Sequence, residues 1–293
     1  MAPRINTLNH YLKQLFGKRV QKIPLDAGLG CPNRDRKTGT GGCIYCDPNG
    51  SGTGLHRKGV SVREQMQNGI KWARQRYGAG LFIAYFQSYS NTYAPPQRLE
   101  ALYKEALISP DVVGLFIGTR PDCVNQDVVR VIKKFSKTHL VTVELGLQSA
   151  HDRTLKRINR GHDVAEFIRA RTLLKKNQIP VCAHVIFGLP GEDRKDMLYT
   201  IEFLSKLQIE GVKFHQLYVL KDSPMERLYK KGEFEFLSME EYCTLVAEAI
   251  RRLPPHTVVH RLQGDPPHDR PLLGPGWATK KHEIRSAIMS HFN

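Results

Sequence analysis

Six short apolar runs, separated by amphipathic stretches, restrict this chain more than any other feature. They cover residues 18–26, 81–87, 112–119, 139–149, 179–190 and 211–220. Runs such as LFIAYFQ and VVGLFIGT are nearly continuous in apolar character, as expected of strands covered on both faces. Between them, residues 61–78, 96–107, 124–135, 164–177 and 194–207 repeat apolar side chains at helical spacing. Val62, Met66, Ile70 and Ala73, for instance, share one side of the first. Strands that alternate with helices read as βα units of a parallel sheet, joined by right-handed crossovers. The expected fold is α/β, a partial (β/α)6 TIM-type barrel, with a doubly wound sheet as the other arrangement of the same units. In both, chemistry gathers at the carboxyl ends of the strands.

Three segments follow. Residues 1–17 form an N-terminal helical piece, with Leu8, Leu12, Leu15 and Phe16 at helical spacing. Residues 18–220 form the core. Residues 221–293 form a C-terminal extension packed on it, read as a helix (238–253), a short strand (258–263), a Pro/Gly-rich loop (264–276) and a basic helix (278–292).

Directly after the first strand comes GLGCPNRDRKTGTGGCIYCDPNGSGTG, residues 28–54. It has no apolar period and reads as a long loop, which in a compact protein needs a reason to be ordered. Eleven residues separate Cys31 from Cys43, and two separate Cys43 from Cys46. Three thiolates can wrap an iron–sulfur centre. Zinc would want a fourth ligand, for which His56 or His10 is available, and unligated thiols are the remaining alternative. Cys123, Cys182 and Cys243 are scattered through apolar text and read as core thiols.

The formal charge is +16 over 293 residues, with 41% hydrophobic and 25% charged. This balance suits a soluble globular protein with a polyanionic partner, of which nucleic acid is the first candidate. Clustered cysteines argue against a secreted disulfide framework, and no run is long enough for a membrane helix. A cytoplasmic location fits. The acid-free N-terminus leaves organelle import open, although a native first helix explains it as well.

The Cys43-Ile44-Tyr45-Cys46 tail resembles the cluster motif of the radical SAM superfamily, although the first gap is longer than the commonest one. Further motifs strengthen the likeness. ELGLQS with INRGH (158–162) resembles the coproporphyrinogen-oxidising and elongator-like branches. FQSYSNTYAP (86–95), GTRPDC (118–123) and HVIFGLPGE (184–192), taken with these, resemble the small YhcC/YtqA family over nearly the whole chain.

That resemblance implies a [4Fe–4S] cluster on Cys31, Cys43 and Cys46, and S-adenosylmethionine (SAM) bound beside Tyr45, Gln87, Ser88, Glu144, Gln148, Arg160, Ile186 and Phe187. Gln148 and Glu144 would meet the ribose, Arg160 the carboxylate, and the strand backbone at Ile186 and Phe187 the adenine. Where the coproporphyrinogen branch has a ribose-binding Asp on the fifth strand, this chain has His184. Catalytic or substrate contacts are expected from His184, His215, Gln216 and Tyr218, and Lys213 and Arg261 are expected to touch substrate as well. The implied reaction begins with a 5′-deoxyadenosyl radical. It ends in conversion of 5-carboxymethylaminomethyl-uridine to 5-aminomethyl-uridine at the tRNA wobble position.

Expected partners are tRNA, an electron donor such as flavodoxin or ferredoxin, and a partner methyltransferase. Basic candidates for tRNA phosphates include Arg34, Arg36 and Lys37, and Tyr89 or Tyr93 could stack a base. The alternatives are a radical SAM enzyme acting on a small molecule or protein, and a zinc-stabilised nucleic-acid-binding module.

Overall fold

The computed structural model describes residues 5–47, 50, 52–267 and 269–292. Its core is one sheet built from β1 (Val20–Leu25), β2 (Leu81–Phe86), β3 (Val112–Thr119), β4 (Leu140–Gln148), β5 (Val181–Phe187) and β6 (Gly211–Gln216), paired in chain order and all parallel. The crossovers carry α2 (Val62–Tyr77), α3 (Pro96–Ala106), α4 (Gln126–Phe135), α5 (Asp152–Arg157) with α6 (Val164–Lys176), and α7 (Arg194–Lys206). Local sequence sets their ends. Ser61 and Glu64 form a capping box at the start of α2, and Gly78 ends it in the left-handed region.

The expected partial barrel is present, and it carries a seventh strand. The short β7 (Val219–Leu220) leaves the sheet, and α8 (Pro224–Lys230) and α9 (Met239–Arg252) follow. Then β8 (Val258–Arg261) returns to pair in parallel with β6. The 258–263 run was placed in the extension, yet its strand belongs to the core sheet. The Pro/Gly-rich loop carries β9 (Leu272–Gly274), which pairs antiparallel with β7 outside the barrel, and α10 (Lys281–Ser290) closes the chain. The six-residue α5 and seven-residue α8 show too few turns for a readable period.

The first helix, α1 (Leu8–Phe16), plugs the amino end of the barrel. Its Leu8 and Leu12 pack with Val20, Ile83, Tyr85, Phe116 and Val258, residues of strands from both edges and the middle of the sheet. The backbone N–H of Val259 donates to the Asn6 carbonyl at 2.8 Å, tying this segment to β8. One end of the barrel is thus sealed by apolar packing, and the other is left for chemistry. Cys123, Cys182 and Cys243 are buried free thiols. No described helix is long and apolar enough to cross a membrane.

Candidate active site

A cavity of about 340 Å³ opens at the carboxyl end of the sheet. The cysteine loop forms one wall of it, contributing Cys31, Arg34, Cys43, Tyr45 and Cys46. Order in that loop comes from the turn after α5. Asn33 Nδ2 donates to the carbonyls of Asn159 at 2.6 Å and Arg160 at 3.3 Å. Asn159 in turn donates from its side chain to the carbonyls of Thr40 at 2.9 Å and Gly42 at 2.7 Å. An irregular loop needs partners for its backbone groups: Asn159 of the INRG turn donates to two of the loop's carbonyls, and the turn's own carbonyls accept from Asn33 and from the Ile44 N–H.

Around Cys43 the field is positive. Arg160 Nη1 lies 3.4 Å from its sulfur and Arg120 Nη1 4.0 Å. Burial alone would push this thiol up, but the two guanidinium groups outweigh it and hold it below its usual value. Cys46 goes the other way, pushed up to about 12 by burial and by Cys43, against the opposing Arg34. Arg120 is itself held, donating to both oxygens of Asp122 and, at 2.7 Å, to the Arg160 carbonyl.

At the end of β4 the backbone leaves regular geometry. The register against β5 shifts between Gly146 and Gln148, and Gln148 has φ 76°. A non-glycine residue in the left-handed region, at a bulge beside a cavity, is the kind of strain that functional sites hold. A Cβ on Gly146 would lie 2.5 Å from Arg160 Nη2 and 2.8 Å from Gln148 Nε2, so glycine is what lets both side chains reach the cavity. Several polar atoms here are buried with no partner, among them Gln148 Oε1, Arg160 Nε and Ser88 Oγ. Buried polar atoms are rarely left so, and two in the lining with a third close behind mark where a polar ligand belongs.

Deeper in the barrel sits Glu144. Its carboxylate accepts from Lys213 and from the Tyr85 hydroxyl, both at 2.8 Å, with Lys22 at 3.5 Å and His260 Nδ1 at 3.2 Å. Burial resists its charge, but Lys213 and Lys22 prevail, and the carboxyl stays well below its normal range. Glu144 faces the cavity, as expected, but the four protein groups already surround its oxygens. The sequence does not mark Tyr85, Lys22 and His260, because only the curl of the sheet brings β1, β2, β4, β6 and β8 to one point.

Most of the residues singled out in sequence do meet. Tyr45, Gln87, Gln148, Arg160, His184, His215 and Tyr218 line the cavity with the three cysteines. Ser88 is buried just behind it, where a Cβ on Gly52 would collide with its hydroxyl at 1.6 Å. Ile186 lines a small adjoining pocket with Tyr45 and His215. Phe187 turns its ring into the outer core against Phe214 and Tyr242; the adenine contact that the resemblance implies is through this strand's backbone, not this ring. Gln216 is placed differently from expectation. Both ends of the Gln216 amide pair with the Gly264 backbone at 2.8 Å, so this side chain fastens β6 to the loop after β8. Tyr218 lies beyond the end of β6 and escapes its alternation, bringing its ring to 5.1 Å from His215. The zinc alternatives diverge: His10 lies on α1 at the sealed end, while His56 packs its ring against Gly28 near Cys31. Among the described residues, the cysteine sulfurs do not form a group within 4.8 Å as a single-ion site requires.

The family model described as the Radical SAM superfamily matches residues 28–204, and that of the Radical_SAM C-terminal domain matches residues 209–293. This chain belongs to the radical SAM superfamily. It is 40% identical over 285 residues to YtqA of Bacillus subtilis, across 97% of this chain and 88% of that protein. A shorter likeness, 32% over 158 residues, is to the tRNA uridine(34) acetyltransferase of Methanocaldococcus infernus, across 53% of this chain and 29% of that protein. In fold it is similar to the archaeal Methanocaldococcus infernus Elp3, at a TM-score of 0.69 and 18% identity, across 94% of this chain and 64% of that structure's chain. Radical SAM proteins use a [4Fe–4S] cluster and SAM. The residues here fit both groups. Three free thiols surround one cavity, which also holds unpartnered polar atoms and a glycine, Gly118, whose added Cβ would sit 3.1 Å from the Phe86 carbonyl.

Proposed function

We propose that this radical SAM enzyme modifies the tRNA wobble uridine, converting 5-carboxymethylaminomethyl-uridine to 5-aminomethyl-uridine. The observation that carries the reading is the union, in one loop, of the cluster cysteines and a cationic rim. Arg34 lines the cavity while Arg36 and Lys37 are exposed beside it. Two tyrosines stand with them, Arg34 lying 5.3 Å from the Tyr89 ring centroid and Lys37 5.1 Å from that of Tyr93. Cations for phosphates beside rings for an unstacked base suit a single-stranded RNA loop. The formal charge of +16 and the likeness to a protein named for tRNA uridine(34) support the same substrate. One-electron chemistry that removes hydrogen from a substrate carbon is what the cluster and SAM supply when bound. Cys31, Cys43 and Cys46 would hold the cluster; Arg160, Gln148 and Ser88 would hold SAM, the Arg160 fork on its carboxylate. The protein's part is to orient these groups and exclude water. An electron donor such as flavodoxin or ferredoxin and a downstream methyltransferase complete the reading.

The decisive test is nucleoside mass spectrometry of tRNA from cells lacking the protein. Carboxymethylaminomethyl-uridine should accumulate and aminomethyl-uridine disappear; an unchanged nucleoside profile would overturn the assignment and favour a small-molecule substrate. Two further results are expected. First, Arg160→Lys keeps charge but loses the fork, so SAM binding should weaken by about tenfold with iron content intact; equilibrium dialysis reads it, and unchanged affinity in Arg160→Ala would remove Arg160 from the SAM site. Second, tRNA affinity should fall steeply with salt. Charge reversal at Arg34, Arg36 and Lys37 should flatten the slope of log K against log salt by about 2 to 3, since each lost phosphate contact removes about 0.7 to 0.9.

A further inference from the structure

The cavity is lined by five cations, and four of them have protein partners. Arg120 is paired with Asp122, and Lys213 with Glu144. Arg160 donates to the Gly146 carbonyl at 2.7 Å and Arg34 to the Asp47 carbonyl at 2.5 Å. The fifth, Arg261, ends β8 beside Lys213 of β6, and among the described residues its side chain has no hydrogen-bond or ion-pair partner. Its Nε is buried. None of the three lining acids, Asp47, Glu144 and Asp265, makes an ion pair with it: Glu144 is surrounded as described, and Asp265 pairs outward with Lys281 at 2.8 Å. A guanidinium partly removed from water with no anion beside it is costly, and the cost is recovered when a ligand brings the anion.

Two imidazoles stand near. His184 and His215 have ring centroids 5.5 Å apart, and His184 Nε2 is buried without a partner. His215 Nδ1 lies 2.5 Å from the Gln216 carbonyl, so it must carry the hydrogen and donate, which leaves Nε2 as an acceptor. The ring is fixed there by Gly264, where a Cβ would stand 2.3 Å from it. Burial, then the Arg261 charge, hold this imidazole down to about 3, so it stays neutral in the physiological range.

We infer that Arg261 anchors a carboxylate of the substrate on the β6–β8 side of the cavity, with His215 Nε2 accepting a hydrogen bond from an amine N–H next to it. The donor set matches a secondary amine carrying a carboxymethyl group. This inference rests on the wobble-uridine reading for the source of that group, whose arm has such an amine and carboxylate. Arg160 and Arg120 stand at Cys43, on the cluster side, and leave Arg261 for a different anion. A backbone phosphate could use the same fork, so the test holds phosphates constant.

Three anticodon stem-loops, identical except for carboxymethylaminomethyl-uridine, aminomethyl-uridine or uridine at the wobble position, are titrated against the full chain at one salt concentration. The wild type should bind the carboxymethyl loop about tenfold more tightly than the aminomethyl loop, the scale of one partly desolvated charge contact. Arg261→Gln should bring the two within about twofold, with the aminomethyl loop bound as before; should that variant fail to fold, Arg261→Lys should reduce the preference to about threefold. Equal binding of the two loops by the wild type, or a full preference kept in the variant, overturns the inference and leaves the tRNA reading standing. If no loop is bound better than a scrambled RNA, the tRNA reading falls instead. The anchor is then judged by calorimetry with sarcosine and dimethylamine: saturable sarcosine binding lost in Arg261→Gln sustains it, and equal responses to the two probes refute it.

Discussion

Replacing Cys31, Cys43 or Cys46 by Ala should reduce reconstituted iron and sulfide to background and abolish SAM cleavage. The three thiols are free, line one cavity, and are fixed to it by bonds outside the cysteines themselves. Removing one therefore removes a ligand without collapsing the loop, and two thiolates do not hold a cubane. Anaerobic reconstitution followed by iron and sulfide analysis reads the first effect, and deoxyadenosine formation the second. Near-ultraviolet circular dichroism should match wild type, separating lost ligation from lost fold. Full iron content in Cys31→Ala would mean that another residue completes the ligand set. Cys123→Ala and Cys182→Ala serve as controls, since burial pushes both thiols up and neither lines the cavity.

Lys213→Met should give the largest loss of stability of any single change at the site. Lys213 is 5% exposed and sits 2.8 Å from Glu144, which is 4% exposed. Breaking a buried ion pair from one side strands the other charge, at a cost of about 3–5 kcal/mol. Lys22 and His260 remain beside Glu144, which puts the loss near the lower end, about 3 kcal/mol. Chemical denaturation of the two proteins measures it. The double variant Glu144→Gln/Lys213→Met should regain part of the deficit, because it removes both fully buried charges and leaves only the partly exposed Lys22 without its anion. Acid behaviour follows with a definite sign. The folded carboxyl of Glu144 lies below its unfolded value, so its contribution is fully present above about pH 4.3 and is lost as pH falls through the folded value. In Lys213→Met that acid-side loss should shrink. A single variant as stable as wild type would show that Glu144 does not depend on Lys213.

Much of this was legible without coordinates. Parallel strands were readable because a strand buried on both faces is written as an uninterrupted apolar run, and LFIAYF, VVGLFIGT and VCAHVIF have that form. The cysteine loop was legible for the opposite reason: it had no period, so only ligation explained its length. Its place at the carboxyl end followed from its following the first strand. Gln148 and Arg160 could be marked from motif and spacing, and both line the cavity. Short elements were lost, since α5 and α8 offer less than two turns of pattern.

What the sequence by itself determined was therefore local or periodic: the βα order, the cluster loop, the residues at strand ends. Tertiary structure decided every relation between distant segments. VVHRLQ looked like an appendage of the tail, and only backbone pairing to β6 made it the seventh strand. Gln216 had the right position along the chain, but the Gly264 backbone captured both ends of its amide. The Glu144 cluster draws Lys22, Tyr85, Lys213 and His260 from four other strands. A one-dimensional pattern holds information about neighbours within a few residues. Curling of the sheet, driven by apolar area that carries no side-chain identity, sets which polar groups must meet inside it.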